Sequence, residues 1–161
     1  MELVFKEMKE EDIPEQTKIM TRAFDDDSQR HLGEEKGGPP GYDDGEFFRT
    51  WLLPYKESIG YKVLLNGKQI AGIIVWILPK GKNNLGTIFV DPEFQNKGIG
   101  YKMWQFIEKT YPNTRSWTLG TPSWAISNHH FYQKCGFTKI REEPMEEHSG
   151  TSFIYQKIMK T

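Results

Sequence analysis

The stretch from Thr87 to Tyr111 most restricts what this chain can fold into. An apolar run, Thr87 to Val90, leads into Asp91-Pro92-Glu93-Phe94-Gln95-Asn96-Lys97-Gly98-Ile99-Gly100, and an amphipathic run from Tyr101 to Tyr111 leads out. The order reads as strand, tight loop, helix. Gly98 and Gly100 stand at the helix entrance, where a missing side chain lets the backbone approach a ligand closely. The first turn of a helix leaves N–H groups without intrahelical acceptors, and the helix dipole adds positive character there. Such a unit binds anions, phosphate above all. Two common phosphate loops are excluded. The chain has no Gly-x-x-x-x-Gly-Lys-Ser/Thr, and Met103 stands where a dinucleotide fingerprint needs its third glycine. Taken alone, the stretch could also be a glycine-rich turn that caps an ordinary helix.

Length and charge narrow the classes. The 161 residues suit one domain, taken as residues 1–161, with a single real core. At 37% hydrophobic and 14% aromatic residues, the chain should fold rather than stay disordered. Its 21 basic and 22 acidic side chains argue against nucleic-acid binding, which needs a basic face. The longest apolar run, Ile70 to Leu78, is too short to cross a bilayer, so no membrane partner is expected. No signal peptide is visible at Met1 to Glu7, and the single Cys135 fits a reducing cytoplasm.

In chain order, Leu3 to Met8 reads as a strand. A helix follows, capped by Asp12, with Pro14 in its first turn and Ile13, Thr17, Met20 and Phe24 on one face. Asp25-Asp26-Asp27-Ser28 is expected to end it. Gln29 to Gly45, rich in glycine, proline and carboxylates, reads as a long loop, functional or disordered. A short helix carries Phe47, Phe48, Trp51 and Leu52 and stops at Pro54. Tyr61–Leu65 and Gln69–Leu78 form a hairpin about Asn66-Gly67, and the second strand is apolar enough to be buried on both faces. Lys80 to Asn84 turns into the strand Leu85–Val90, and the helix Gly98–Tyr111 comes next. Then come a strand at Arg115–Gly120, a helix at Trp124–Cys135 closed by Gly136, and a last pair, Phe137–Arg141 and Thr151–Met159, joined by the acidic segment Glu142–Gly150.

A second pattern lies further on: Asn128-His129-His130-Phe131-Tyr132-Gln133-Lys134-Cys135-Gly136-Phe137. On its own it would be a core helix with a glycine cap. Gln95-x-x-Gly98-x-Gly100 resembles the acetyl-CoA-binding motif of the GNAT superfamily of N-acetyltransferases, and Phe131-Tyr132-x-x-x-Gly136-Phe137 resembles the end of that family's later helix. Both occur in the family's order with matching strands between. The resemblance covers nearly the whole chain and is weakest from Gln29 to Trp51. It implies an α/β (α+β) single domain: a mixed, mostly antiparallel sheet with a central parallel pair splayed at the cofactor site and helices on both faces.

The resemblance also implies a chemistry. Acetyl-CoA would be the cosubstrate, with no metal. Backbone N–H groups of Gln95, Asn96, Lys97, Gly98, Ile99 and Gly100 would hold the pyrophosphate, and the backbone of Phe89 and Val90 the pantetheine arm. Asn128 is the nearest candidate for a family asparagine that touches the cofactor, though it lies closer to Tyr132 than is usual. An amine would attack the acetyl carbonyl directly, with the Val90 N–H as oxyanion donor and Tyr132 as the acid for the departing thiolate. The alternative for Tyr132 is a core tyrosine that holds the helix. Many relatives carry a glutamate on the strand before the glycine loop, but Leu85-Gly86-Thr87-Ile88-Phe89 offers no carboxylate. Water, or Asp25, Asp26, Asp27 or His31, would then take the proton, unless those four form only a solvated helix end. Of His129 and His130, about 100° apart on a helix, at most one can face the site, and neither has metal-ligand company.

The expected activity is transfer of an acetyl group to a primary amine, with a small-molecule acceptor. The alternatives are a protein or peptide amine, or an acyl-CoA-binding module without turnover. The carboxylates Asp25–Asp27, Glu34, Glu35, Asp43 and Asp44 would favour a cationic acceptor, or form only a charged loop. The final hairpin would permit a homodimer without requiring one.

Overall fold

Alternation along a single apolar strand organises the molecule. A computed structural model of the chain describes residues 2–145 and 150–160. In β3 (Lys68–Trp76), Ala71, Ile73 and Val75 enter one core and Ile74 the opposite one, so both faces of the sheet are covered. On one face lie α3 (Ile99–Thr110) and α4 (Ile126–Lys134), with Met103, Trp104, Ile107 and Tyr132 in the larger core. On the other lie α1 (Ile13–Leu32) and α2 (Glu46–Trp51), with Ile19, Met20 and Phe48 packed on Ile74 and Phe89.

The remaining strands are β1 (Leu3–Glu7), β2 (Ser58–Leu65), β4 (Lys82–Val90), β5 (Ser116–Pro122), β6 (Thr138–Pro144) and β7 (Thr151–Ile158). The sheet order is β1-β2-β3-β4-β5-β7-β6. Every neighbouring pair is antiparallel except β4 and β5. The hairpin between β2 and β3 turns on Asn66 and Gly67, whose φ angles of 52° and 79° suit a right-twisted two-residue turn.

The parallel pair opens into a V. Partners run only from Lys82 with Ser116 to Asn84 with Thr118, after which β4 and β5 go on unpaired. Two features fix the V. At its base Asn83 accepts from the Leu78 N–H and donates to Thr114 Oγ1, tying the strand to the segment before β5. Just above, the β3–β4 register steps from Val75 with Leu85 to Ile74 with Thr87, leaving Gly86 as the extra residue of a bulge that bends β4.

Three expectations from sequence need correction. The first helix does not end at Asp25–Ser28 but continues to Leu32 and stops at Gly33, φ 69°. Arg30 supports the aspartates within the helix, bonding Asp26 and Asp27. Asp12 caps no α-helix. It accepts from the Lys9 N–H around the 3-10 turn Glu10–Asp12 and pairs, buried, with Lys62. The segment 33–45 is less open than its composition suggests. Asp25 accepts from the Gly37 N–H and the Tyr42 hydroxyl, and Tyr42 is buried. The Glu146–Ser149 part of the acidic connection lies outside the described residues.

Candidate active site

The V between β4 and β5 is the floor of a cavity of about 500 Å³. Of the residues singled out from sequence, Phe89, Val90, Gln95, Asn96, Gly98, Ile99, Gly100, Asn128 and Tyr132 all line it. Lys97 does not, and its side chain is exposed.

The glycine loop is built for an anion. Asn96 and Gly98 both have left-handed backbone, φ 62° and 77°, so successive N–H groups turn toward a common concavity. The first intrahelical bond of α3 runs from the Lys102 N–H to the Gly98 carbonyl, which leaves the Ile99, Gly100 and Tyr101 N–H groups without intrahelical acceptors. The two glycines serve different ends. Gly98 meets a backbone demand, because a Cβ there would touch nothing. Gly100 meets a packing demand: a Cβ would lie 3.0 Å from Phe131 Cε1, so α3 passes hard against the aromatic end of α4.

Side chains brace the loop from below. Asp91 accepts from the Glu93 N–H and is gripped from α1 by Arg22, whose Nη2 lies 2.5 Å from Oδ2. Gln95 Nε2 donates to the Val90 carbonyl at 3.0 Å. The Asp91 N–H donates to the Ile70 carbonyl, so alternation turns the polar groups of Ile88 and Val90 toward the V and those of Phe89 toward β3, which corrects the expectation that the Phe89 backbone would hold the pantetheine arm. With its carbonyl held by Gln95, Val90 presents its N–H to the cavity.

Tyr132 reaches the cavity from α4 while remaining 8% exposed. Its ring packs on Phe131, Phe137 and Tyr155. Burial, with Cys135 and Asp27 nearby, pushes its phenol well above the ordinary tyrosine range, so it stays protonated through neutral pH. Cys135 is no nucleophile, since burial pushes its thiol up to about 12.

The acidic candidates separate sharply. Arg30 bonds both Asp26 and Asp27, but only Asp27 lines the cavity; Asp26 does not, nor does Asp25, which is engaged by Tyr42 and Gly37. Glu34, Glu35, Asp43 and Asp44 are exposed and lie outside the cavity lining. Burial raises the Asp27 carboxyl above the ordinary range, against the pull of Arg30 and His31. Both His31 nitrogens have partners: Nδ1 donates to the Asp27 carbonyl, and Nε2 faces the Ser127 N–H and hydroxyl. His31 therefore ties the end of α1 to the start of α4 rather than facing the cavity. His129 bonds the Pro122 carbonyl and stacks on Phe153, and His130 is exposed. Among the described residues, no group of three or more metal-ligating side chains converges. Phe47, one of the aromatics that the sequence offers either to the acceptor cleft or to the core, lines the cavity, whereas sequence reasoning did not mark Arg22, Phe24, Arg30 or Ser127 for the site. Asp91 stands in the loop itself, but nothing in the sequence marks Arg22 as its partner.

Comparison with known proteins assigns the class. The family described as "Acetyltransferase (GNAT) domain" matches residues 57–139. The chain belongs to this family of GNAT acetyltransferases. It is 34% identical over 145 residues to "Uncharacterized protein YrkN" of Bacillus subtilis (strain 168), covering 88% of this chain and 76% of that protein. Solved structures share its fold at low identity. The PaiA N-acetyltransferase of Thermoplasma acidophilum in complex with coenzyme A has a TM-score of 0.77 at 16% identity, covering 99% of this chain and 100% of that one. The ribosomal-protein-S18-alanine N-acetyltransferase of Escherichia coli has a TM-score of 0.76 at 16% identity, covering 99% and 96%. No helix among the described residues is long and apolar enough to cross a membrane.

Proposed function

We propose that this chain, acting as one domain in the cytoplasm, moves an acetyl group from acetyl-CoA to the primary amine of a small molecule. One observation carries the reading: the free N–H groups of the glycine loop, the inward N–H of Val90 and the phenol of Tyr132 all border one cavity. The cosubstrate fits the residues present. The left-handed pair at Asn96 and Gly98, with the open first turn of α3, suits a pyrophosphate. The unpaired polar groups of Ile88, with the Val90 N–H beyond them, suit an extended amide-bearing arm, which would bond in the V as an added strand. Asn128, already close to Thr121, stands beside that arm.

Acetyl-CoA supplies an acyl group activated as a thioester. The Val90 N–H is directed to the oxygen on which negative charge develops. Tyr132 gives its proton to the departing sulfur. Asp27, the one carboxylate among the described lining residues, draws in the cationic amine and takes up its proton. The segment stitched to Asp25 places Pro39 beside the cavity, and α2 adds Phe47; a walled acceptor side favours a small molecule over a protein tail.

Steady-state kinetics of Tyr132→Phe tests the assignment. The turnover number should fall by about a hundredfold or more with little change in acetyl-CoA affinity. Unchanged turnover would remove Tyr132 from the acid role.

A further inference from the structure

The acceptor cavity has a neighbour. A hollow of about 200 Å³ is lined by Phe47, Trp51, Ile74, Trp76 and Gly86. Phe47 and Gly86 line both cavities, so the two adjoin at the bulge of β4. Three of the five lining residues are aromatic and none is charged. Trp51 is 46% exposed, and the Trp76 ring lies 5.1 Å from that of Tyr55, whose side chain is exposed as well. Indoles held at the surface beside a reactive cavity offer flat apolar area at little entropic cost. The bulged residue has no side chain, and one would crowd the junction: a Cβ at Gly86 would lie 3.0 Å from Trp76 Nε1.

We infer that this cleft is the outer half of the acceptor site and receives a flat, uncharged aromatic group carried by the amine. The inference rests on the proposed acetyl transfer and names its substrate class. The occupant follows from continuity with the acceptor cavity and from the lack of any charged group among the described residues that line the cleft. Its size follows from the strand. Gly86 stands two residues before Ile88 and four before Val90, which is roughly 7–13 Å along β4. The acceptor is therefore a primary amine joined to an aromatic ring through a short methylene chain. Its amine lies toward Asp27 and its ring between Trp51 and Trp76.

The test uses 4-phenylbutylamine against n-butylamine on the full chain. In nitrogen-15 spectra, 4-phenylbutylamine should shift the indole N–H signals of Trp51 and Trp76. Those of Trp104 and Trp117, buried in the core, should not move. Butylamine should shift neither pair. In turnover, kcat/KM should favour the aryl amine by about tenfold or more. Trp51→Ala, at an exposed position, and Trp76→Leu should each reduce that preference to within about threefold and leave the KM for acetyl-CoA unchanged. Absence of a shift at both indoles, or a preference retained in both variants, overturns the cleft assignment. Indole shifts without acetylation of either amine would uphold the cleft and count against transfer to this class of amine.

Discussion

Gly100 and Phe131 pack directly against each other: a Cβ on the glycine would come within 3.0 Å of the phenylalanine ring. The contact joins the two sequence motifs, because the helix that ends the anion loop and the helix that carries Tyr132 are set by one pair of residues. Replacing Gly100 by leucine should push α3 and α4 apart. Calorimetry should then show acetyl-CoA affinity lowered at least tenfold, about 1.4 kcal/mol. Phe131→Ala, which opens the space, should recover part of the stability lost in Gly100→Leu, giving a non-additive cycle in thermal denaturation.

Arg22 supports the loop from beneath. Its head is half exposed, whereas Asp91 is buried, so losing the arginine strands a buried carboxylate. Arg22→Gln should cost about 1–2 kcal/mol of stability, the lower figure reflecting solvent screening of the exposed guanidinium. The same variant should bind CoA several-fold more weakly, measured by calorimetry on folded protein.

Asp27 predicts a pH profile. Its carboxyl is raised by burial, and the groups facing it are Arg30, His31, Asp26 and Tyr132. Its base form therefore appears only as pH climbs past the ordinary carboxylate range, and the acid limb of kcat/KM should lie in that raised region. Asp27→Asn should lower kcat/KM for the amine by about a hundredfold, abolish that limb and leave the acetyl-CoA KM unchanged.

The pair of Asp12 and Lys62 predicts acid sensitivity. Burial works against the Asp12 charge, but Lys62 and the Lys9 N–H hold its carboxyl below the ordinary range. A depressed folded value gives stability that is fully present above the ordinary carboxylate range and is lost as pH falls through the folded value. Lys62→Met should cost about 2 kcal/mol near neutrality, and the gap to wild type, followed by urea denaturation, should close as pH falls below the ordinary carboxylate range.

The glycine loop and the Asn66-Gly67 hairpin were legible because each depends on local chemistry, a left-handed backbone and a helix entrance, whereas Tyr132 was singled out through the resemblance of Phe131-Tyr132-x-x-x-Gly136-Phe137 to the family's later helix. The extent of α1 was not legible. Three aspartates and a serine look like a stop, yet Arg30 pairs with Asp26 and Asp27 within the helix, and Asp25 is spent on Tyr42 and Gly37. The selection of Asp27 among its neighbours depends on which face of α1 meets the V, a tertiary fact. The grip of Arg22 on Asp91 spans 69 residues and leaves no local mark.

The most direct test of acetyl transfer is mass spectrometry of a mixed amine panel incubated with acetyl-CoA and the full chain, with CoA release followed in parallel. The account predicts a singly acetylated primary amine and CoA released in equal amount, both suppressed in Tyr132→Phe. Absence of acetylated product together with absence of acetyl-CoA binding would contradict it.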